Sequence, residues 1–71
     1  MEIREVFAIK FNETMKYSHL SYAELARKLN ITKATMSMYK HGKALPSLET
    51  FSLICDILDV SADFLLGKID S

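Results

Sequence analysis

SYAELARKLNITKATMSMYKHG, residues 21–42, is the stretch around which the rest of the chain is arranged. Ser21 and Glu24 form an S-x-x-E capping box, which opens a helix by satisfying two backbone donors. Leu25, Ala26 and Leu29 follow on one face at helical spacing. Asn30 ends that helix, because Asn tolerates the left-handed conformation that helix ends favour. Ile31 is apolar inside the turn and is expected to point inward. Thr32 caps a second helix, in which Met36 and Tyr39 point inward while Lys33, Ala34, Ser37 and Lys40 face other directions. Gly42 closes it where a positive φ is wanted.

Two short helices joined by a tight turn have the outline of a helix-turn-helix, here about 22–40. Upstream, Ile3, Phe7, Phe11 and Met15 recur every four residues, which predicts an amphipathic helix from about Glu2 to Tyr17. Leu20 sits where a hydrophobic staple against Leu25 is expected. Downstream, Pro46 holds Lys43–Pro46 extended. Ser47 then caps a helix carrying Leu48, Phe51, Leu53, Ile54, Cys55, Ile57 and Leu58, apolar over more than one stripe and so either central or contacted on two sides. Asp59–Val60 reads as a link. Ser61 caps a last turn, Ala62 to Leu66, stopped by Gly67. Five helices and no strand alternation predict an all-α fold.

The 71 residues bound the chain at one domain, 1–71. Apolar content of 49% and a single Pro suit a compact fold and argue against disorder. A single cysteine, Cys55, excludes an intrachain disulfide and reads as a small hydrophobe. There is no apolar run of the ~20 residues a membrane span needs, and no signal-peptide pattern at the start. A soluble, cytoplasmic protein without membrane attachment is expected. No Cys/His/carboxylate spacing suits a metal, no Gly-rich loop suits a phosphate cofactor, and no base accompanies Cys55. No enzyme activity and no cofactor are expected.

Net charge is zero, yet the charges are unevenly placed. Residues 27–43 carry Arg27, Lys28, Lys33, Lys40 and Lys43 and no acid, with His41 beside them, whereas residues 44–71 carry Lys68 against five acids. With a Debye length of roughly 8 Å at physiological salt, a surface bound at close range responds to this local excess.

Residues 20–67, LSYAELARKLNITKATMSMYKHGKALPSLETFSLICDILDVSADFLLG, resemble the Cro/C1-type (XRE-like) helix-turn-helix family. The most specific pieces are E-L-A before the turn, the G-K-x-x-P-S-L-E-T junction and the I-L-D-V-S-A-D-F-L-L-G ending. The resemblance implies a compact five-helix, lambda-repressor-like DNA-binding domain whose third helix, about 33–40, enters the major groove. It implies a sequence-specific transcriptional regulator, a repressor on palindromic operator DNA, encoded by a bacterium or phage. The partners implied are double-stranded DNA and a second copy of the chain. The antitoxin or restriction-modification controller of the same fold is an alternative, with a protein partner in the antitoxin case. A helical protein-interaction module is a second alternative.

The base readers this implies are Lys33, donating to guanine; Ala34 and Met38, packing on a thymine methyl; and Ser37 and Thr35 at base edges. Tyr22, Lys28, Thr32, Lys40, His41 and Lys43 are the phosphate candidates, and about five such contacts set a salt slope near −4 to −5. Tyr22 stands where the family often has Gln. Met15 and Lys40 stand where many members pair Arg with Glu. Losing both charges is coherent, since stranding one costs ~3–5 kcal/mol. Met15 is expected to pack on Tyr39 and the Lys40 stem, freeing the ammonium for a phosphate. For the second copy, Phe64, Leu65, Leu66, Ile57 and Ile9 are the candidate apolar surface, with plain core as the equal alternative.

Overall fold

The computed structural model describes residues 2–69, and all regular structure among them is helical. The helices are α1 (Ile3–Tyr17), α2 (Tyr22–Leu29), α3 (Lys33–Lys40), α4 (Leu48–Leu58) and α5 (Ala62–Leu65). The first begins one residue later than expected, with Glu2 as its cap, and α5 ends one residue earlier, with Leu66 as its cap.

Local chemistry fixes the boundaries. Ser21 Oγ accepts from the Glu24 amide at 3.1 Å, and Glu24 Oε1 accepts from the Ser21 amide at 3.1 Å, completing the capping box. Thr32, Ser47 and Ser61 cap α3, α4 and α5 through the amides of Thr35, Thr50 and Phe64. Four helices close with a left-handed residue followed by an amide that reaches five residues back: Asn30, Gly42, Asp59 and Gly67. Asp59 is therefore not a plain link but the stop of α4, with the Val60 amide donating to the Cys55 carbonyl at 3.1 Å. Gly42 is needed for its backbone: its φ is +69°, whereas a Cβ there would meet the Arg4 carbonyl of α1 only at ordinary contact distance, 3.4 Å.

Ser21→Ala removes one acceptor of the box and should cost about 1 kcal/mol, a fall of ~4–8 °C in melting temperature for a domain this size. Circular dichroism melts measure it; an unchanged midpoint would show that the box adds no net stability. The Ser21 amide and hydroxyl hold the Glu24 carboxyl below its ordinary value of 4.5. Its contribution is therefore present above that value and is lost as the pH falls through the lowered one.

Phe7 and Phe11 of α1 form the centre of the core. Their rings stack at 5.3 Å, and both side chains are fully buried. Phe7 meets Tyr39 of α3 edge-on at 6.4 Å and Phe51 of α4 at 6.0 Å, while Phe11 meets Tyr22 of α2 at 6.0 Å. One aromatic pair thus ties α1 to three helices. Leu25, Ile54 and Leu65 complete the fully buried set, with Met15, Met36 and Tyr39 close behind. Leu20 and Ile31 pack against this cluster as their positions predict.

Of the two placements open to α4, the structure takes contact on more than one side: it packs against α2 and α5, and Phe51 reaches Phe7 of α1, while only Ile54 is fully buried and Leu48 is 87% exposed. Leu65 is core and is not available to a second copy; Phe64, Ile57 and Leu66 are half-buried, leaving Ile9 exposed. Cys55 is half-buried, and burial with Asp56 beside it pushes its thiol up, which suppresses the reactive thiolate.

Candidate nucleic-acid interface

On α3, Met36 and Tyr39 turn into the core, which forces the opposite arc outward. Lys33, Ala34, Ser37 and Met38 are all exposed. At ~100° per residue they span about 140° of the helix circumference, a continuous face. Thr35 lies at its edge, half-buried. Lys33 and Ser37 border a shallow groove of about 200 Å³ between α2 and α3, whose other walls include Tyr22, Ala23, Ala26 and Lys40. Lys28, at the end of α2, and Lys43, beyond α3, flank the face and are exposed. Among the described residues the one ion pair is at the start of α1, Arg4 with Glu2, so no carboxylate is paired with the cations of residues 27–43, although Glu24 lies near enough to Arg27 and Lys28 to feel their charge.

The polar side chains divide into those left free and those already engaged. Lys33, Lys28 and Lys43 make no hydrogen bond among the described residues. The Thr32 hydroxyl donates to Thr35 Oγ1 at 3.0 Å while accepting the Thr35 amide, so its proton is committed to the cap. His41 folds back on α3, with Nδ1 2.8 Å from the Ser37 carbonyl and 3.3 Å from the Ser37 hydroxyl. A carbonyl only accepts, so Nδ1 carries a proton in this arrangement, and a neutral ring then offers only an acceptor at Nε2. Phosphate contact by His41 accordingly requires the imidazolium.

Tyr22 and Lys40 differ most from expectation. The Tyr22 hydroxyl donates to Asn12 Oδ1 of α1 at 2.7 Å, so its single proton is not free for a phosphate. The Lys40 ammonium is not free of partners either: it lies over the Tyr22 ring, 4.2 Å from the centroid. The α1 residue that reaches Lys40 by a hydrogen bond is Asn12, not Met15, with Asn12 Nδ2 donating to the Lys40 carbonyl at 2.9 Å. Met15 is buried in the core cluster that includes Tyr39. Asn12 escapes sequence reasoning because a polar residue on an amphipathic helix reads as solvated surface, and its partners lie 10 and 28 residues away.

Comparison with known proteins agrees with this architecture. The profile of a helix-turn-helix family matches residues 18–65. The chain is 34% identical over 59 residues to the HTH-type transcriptional regulator AnsR of Bacillus subtilis (strain 168), covering 83% of this chain and 51% of AnsR. It is also 34% identical over 61 residues to the uncharacterized HTH-type transcriptional regulator YqaE of the same strain, covering 86% of this chain and 53% of YqaE. The chain thus spans about half the length of the curated relatives it matches. No solved structure matches it significantly. With the matched residues running from just before α2 into α5, the chain belongs to the Cro/C1-type helix-turn-helix family.

Proposed function

We propose that this chain is a sequence-specific DNA-binding transcriptional regulator that lays the exposed face of α3 in the major groove. The observation that carries the reading is that face itself: Lys33, Ala34, Ser37 and Met38 outward on one short helix, flanked by unpaired Lys28 and Lys43. Lys33 suits guanine O6 and N7, and Ala34 and Met38 suit a thymine methyl. Ser37 and Thr35 are the remaining readers. Lys28, Lys40 and Lys43 hold phosphates, joined by His41 when charged, while Tyr22 and Thr32 act by holding their neighbours. Both relatives named above are called transcriptional regulators, which supports the same role here.

The described residues extend 28 × 23 × 22 Å, shorter than the ~34 Å of one DNA turn. One copy therefore reads one half-site, and two copies side by side match an inverted repeat with half-sites a turn apart. The apolar side chains left exposed at Leu45, Leu48 and Leu53 supply surface for such a homodimer. Bound to an operator in the cytoplasm, the dimer would obstruct polymerase and act as a repressor.

Selection of bound sequences from random duplex DNA at ~150 mM salt tests this directly. An enriched inverted repeat is expected, with log K falling against log salt at a slope of about −3 to −4 per bound copy. If no sequence is enriched and the slope is flat, the DNA reading fails.

A further inference from the structure

We propose that Asn12 is a positioning residue for DNA binding: it joins the start of α2 to the end of α3 and thereby sets the Lys40 ammonium at the groove between them. This rests on the DNA-binding reading above and assigns a role to a residue of α1 that lies outside the helix-turn-helix.

The need for Asn12 follows from how α3 ends. The last carbonyls of a helix have no partner within it. Here the Ser37 carbonyl accepts the His41 amide at 3.1 Å, the Met38 carbonyl accepts the Lys43 amide at 2.9 Å and the Tyr39 carbonyl accepts the Gly42 amide at 3.4 Å. The Lys40 carbonyl is left over, and Asn12 Nδ2 fills that vacancy at 2.9 Å. Because a carbonyl accepts only, the amide must present nitrogen to Lys40, which turns Oδ1 toward the Tyr22 hydroxyl at 2.7 Å. One side chain thus satisfies a helix end and fixes a ring at the same time.

The fixed ring is the seat of the cation. Tyr22 is held at its hydroxyl by Asn12 and at its edge by Phe11, 6.0 Å between centroids. Lys40 Nζ sits 4.2 Å from the centre of that ring. A lysine on a bare helix end loses side-chain entropy when it is ordered on a phosphate. On this ring the side chain is already ordered, and Tyr22, Lys40, Lys33 and Ser37 together line the groove beside the reading face. The ring does not neutralise the charge as a carboxylate would, so the ammonium remains available to an anion.

Three measurements test the assignment. In the free protein, the Lys40 ε-methylene protons should resonate upfield of ordinary lysine because of the Tyr22 ring current, and Asn12→Ala should return them toward ordinary values. Normal shifts in the wild type would overturn the assignment. On operator DNA, Lys40→Met should reduce the salt slope by about 0.9, one phosphate contact. Asn12→Ala, at a temperature where circular dichroism shows it folded, should reduce the slope equally, and the double variant should be no shallower than either single one. A wild-type slope in Lys40→Met overturns the proposal whether or not Asn12→Ala folds. Wild-type slope in folded Asn12→Ala, or additive losses in the double variant, overturns it as well, while salt-dependent binding by the wild type leaves the DNA reading standing. A wild type with no salt-dependent binding removes that reading and the proposal together.

Discussion

Phe11→Ala should leave a chain that is largely unfolded at 37 °C. Phe11 is fully buried, stacked on Phe7 and edge-on to Tyr22, so its removal empties the space where α1 meets α2. Truncating a buried Phe costs ~3–5 kcal/mol, the lost transfer energy plus an unfilled cavity. A single core of this size supplies only ~3–5 kcal/mol in total. The two quantities meet, so no margin remains. Urea denaturation followed by helix signal measures the loss, with Phe11→Leu as the variant that keeps much of the volume and should retain a cooperative transition. A loss under about 1 kcal/mol in Phe11→Ala would show that the aromatic pair is not the centre of the core. The same substitution also removes the edge contact that holds the Tyr22 ring, so stability and placement of Lys40 share a residue.

Why some of this was readable in advance and some was not depends on range. Caps are local: Ser21, Thr32, Ser47 and Ser61 each find an amide three residues on, and each was legible from sequence. The outward face of α3 was legible for a similar reason, since inward Met36 and Tyr39 dictate by helical period where Lys33, Ala34, Ser37 and Met38 must point. Asp59 reads as a link in sequence because Asp merely tolerates the left-handed region that Gly and Asn favour. The share of burial among the apolar residues of α4 and α5 was not legible, because periodicity says which residues lie together on a helix but not what covers them. Leu48 and Leu65 show this, one 87% exposed and the other fully buried. The link from Asn12 to Tyr22 and Lys40 was least legible. It joins three helices through atoms whose pairing exists only after the aromatic core has set α1 against α3. The missing family ion pair hinted that something else must hold Lys40, and sequence position pointed to Met15 one helical turn away.

Lys33→Ala carries the largest effect expected on recognition. Lys33 is exposed and has no hydrogen-bond or ion-pair partner among the described residues, so its removal should leave the stability within ~0.5 kcal/mol of wild type. It is the first residue of α3, the end of a reading helix that approaches base edges. A lysine on guanine O6 and N7 contributes ~1–3 kcal/mol of discrimination, so affinity for the selected operator should fall roughly 5- to 150-fold. The loss should concentrate at one base pair per half-site, where the selected motif becomes degenerate, while binding to unrelated DNA weakens far less. Lys43→Ala is the contrasting case, because a phosphate contact has no base to read. It should weaken all sequences alike and reduce the salt slope by about 0.9, leaving the motif intact. If Lys33→Ala behaves as Lys43→Ala does, Lys33 grips the backbone, and base reading then falls to Ala34, Ser37 and Met38, whose contacts are apolar or indifferent to base identity. A face of that kind favours thymine methyls over guanine, so the selected half-site itself would distinguish the two arrangements.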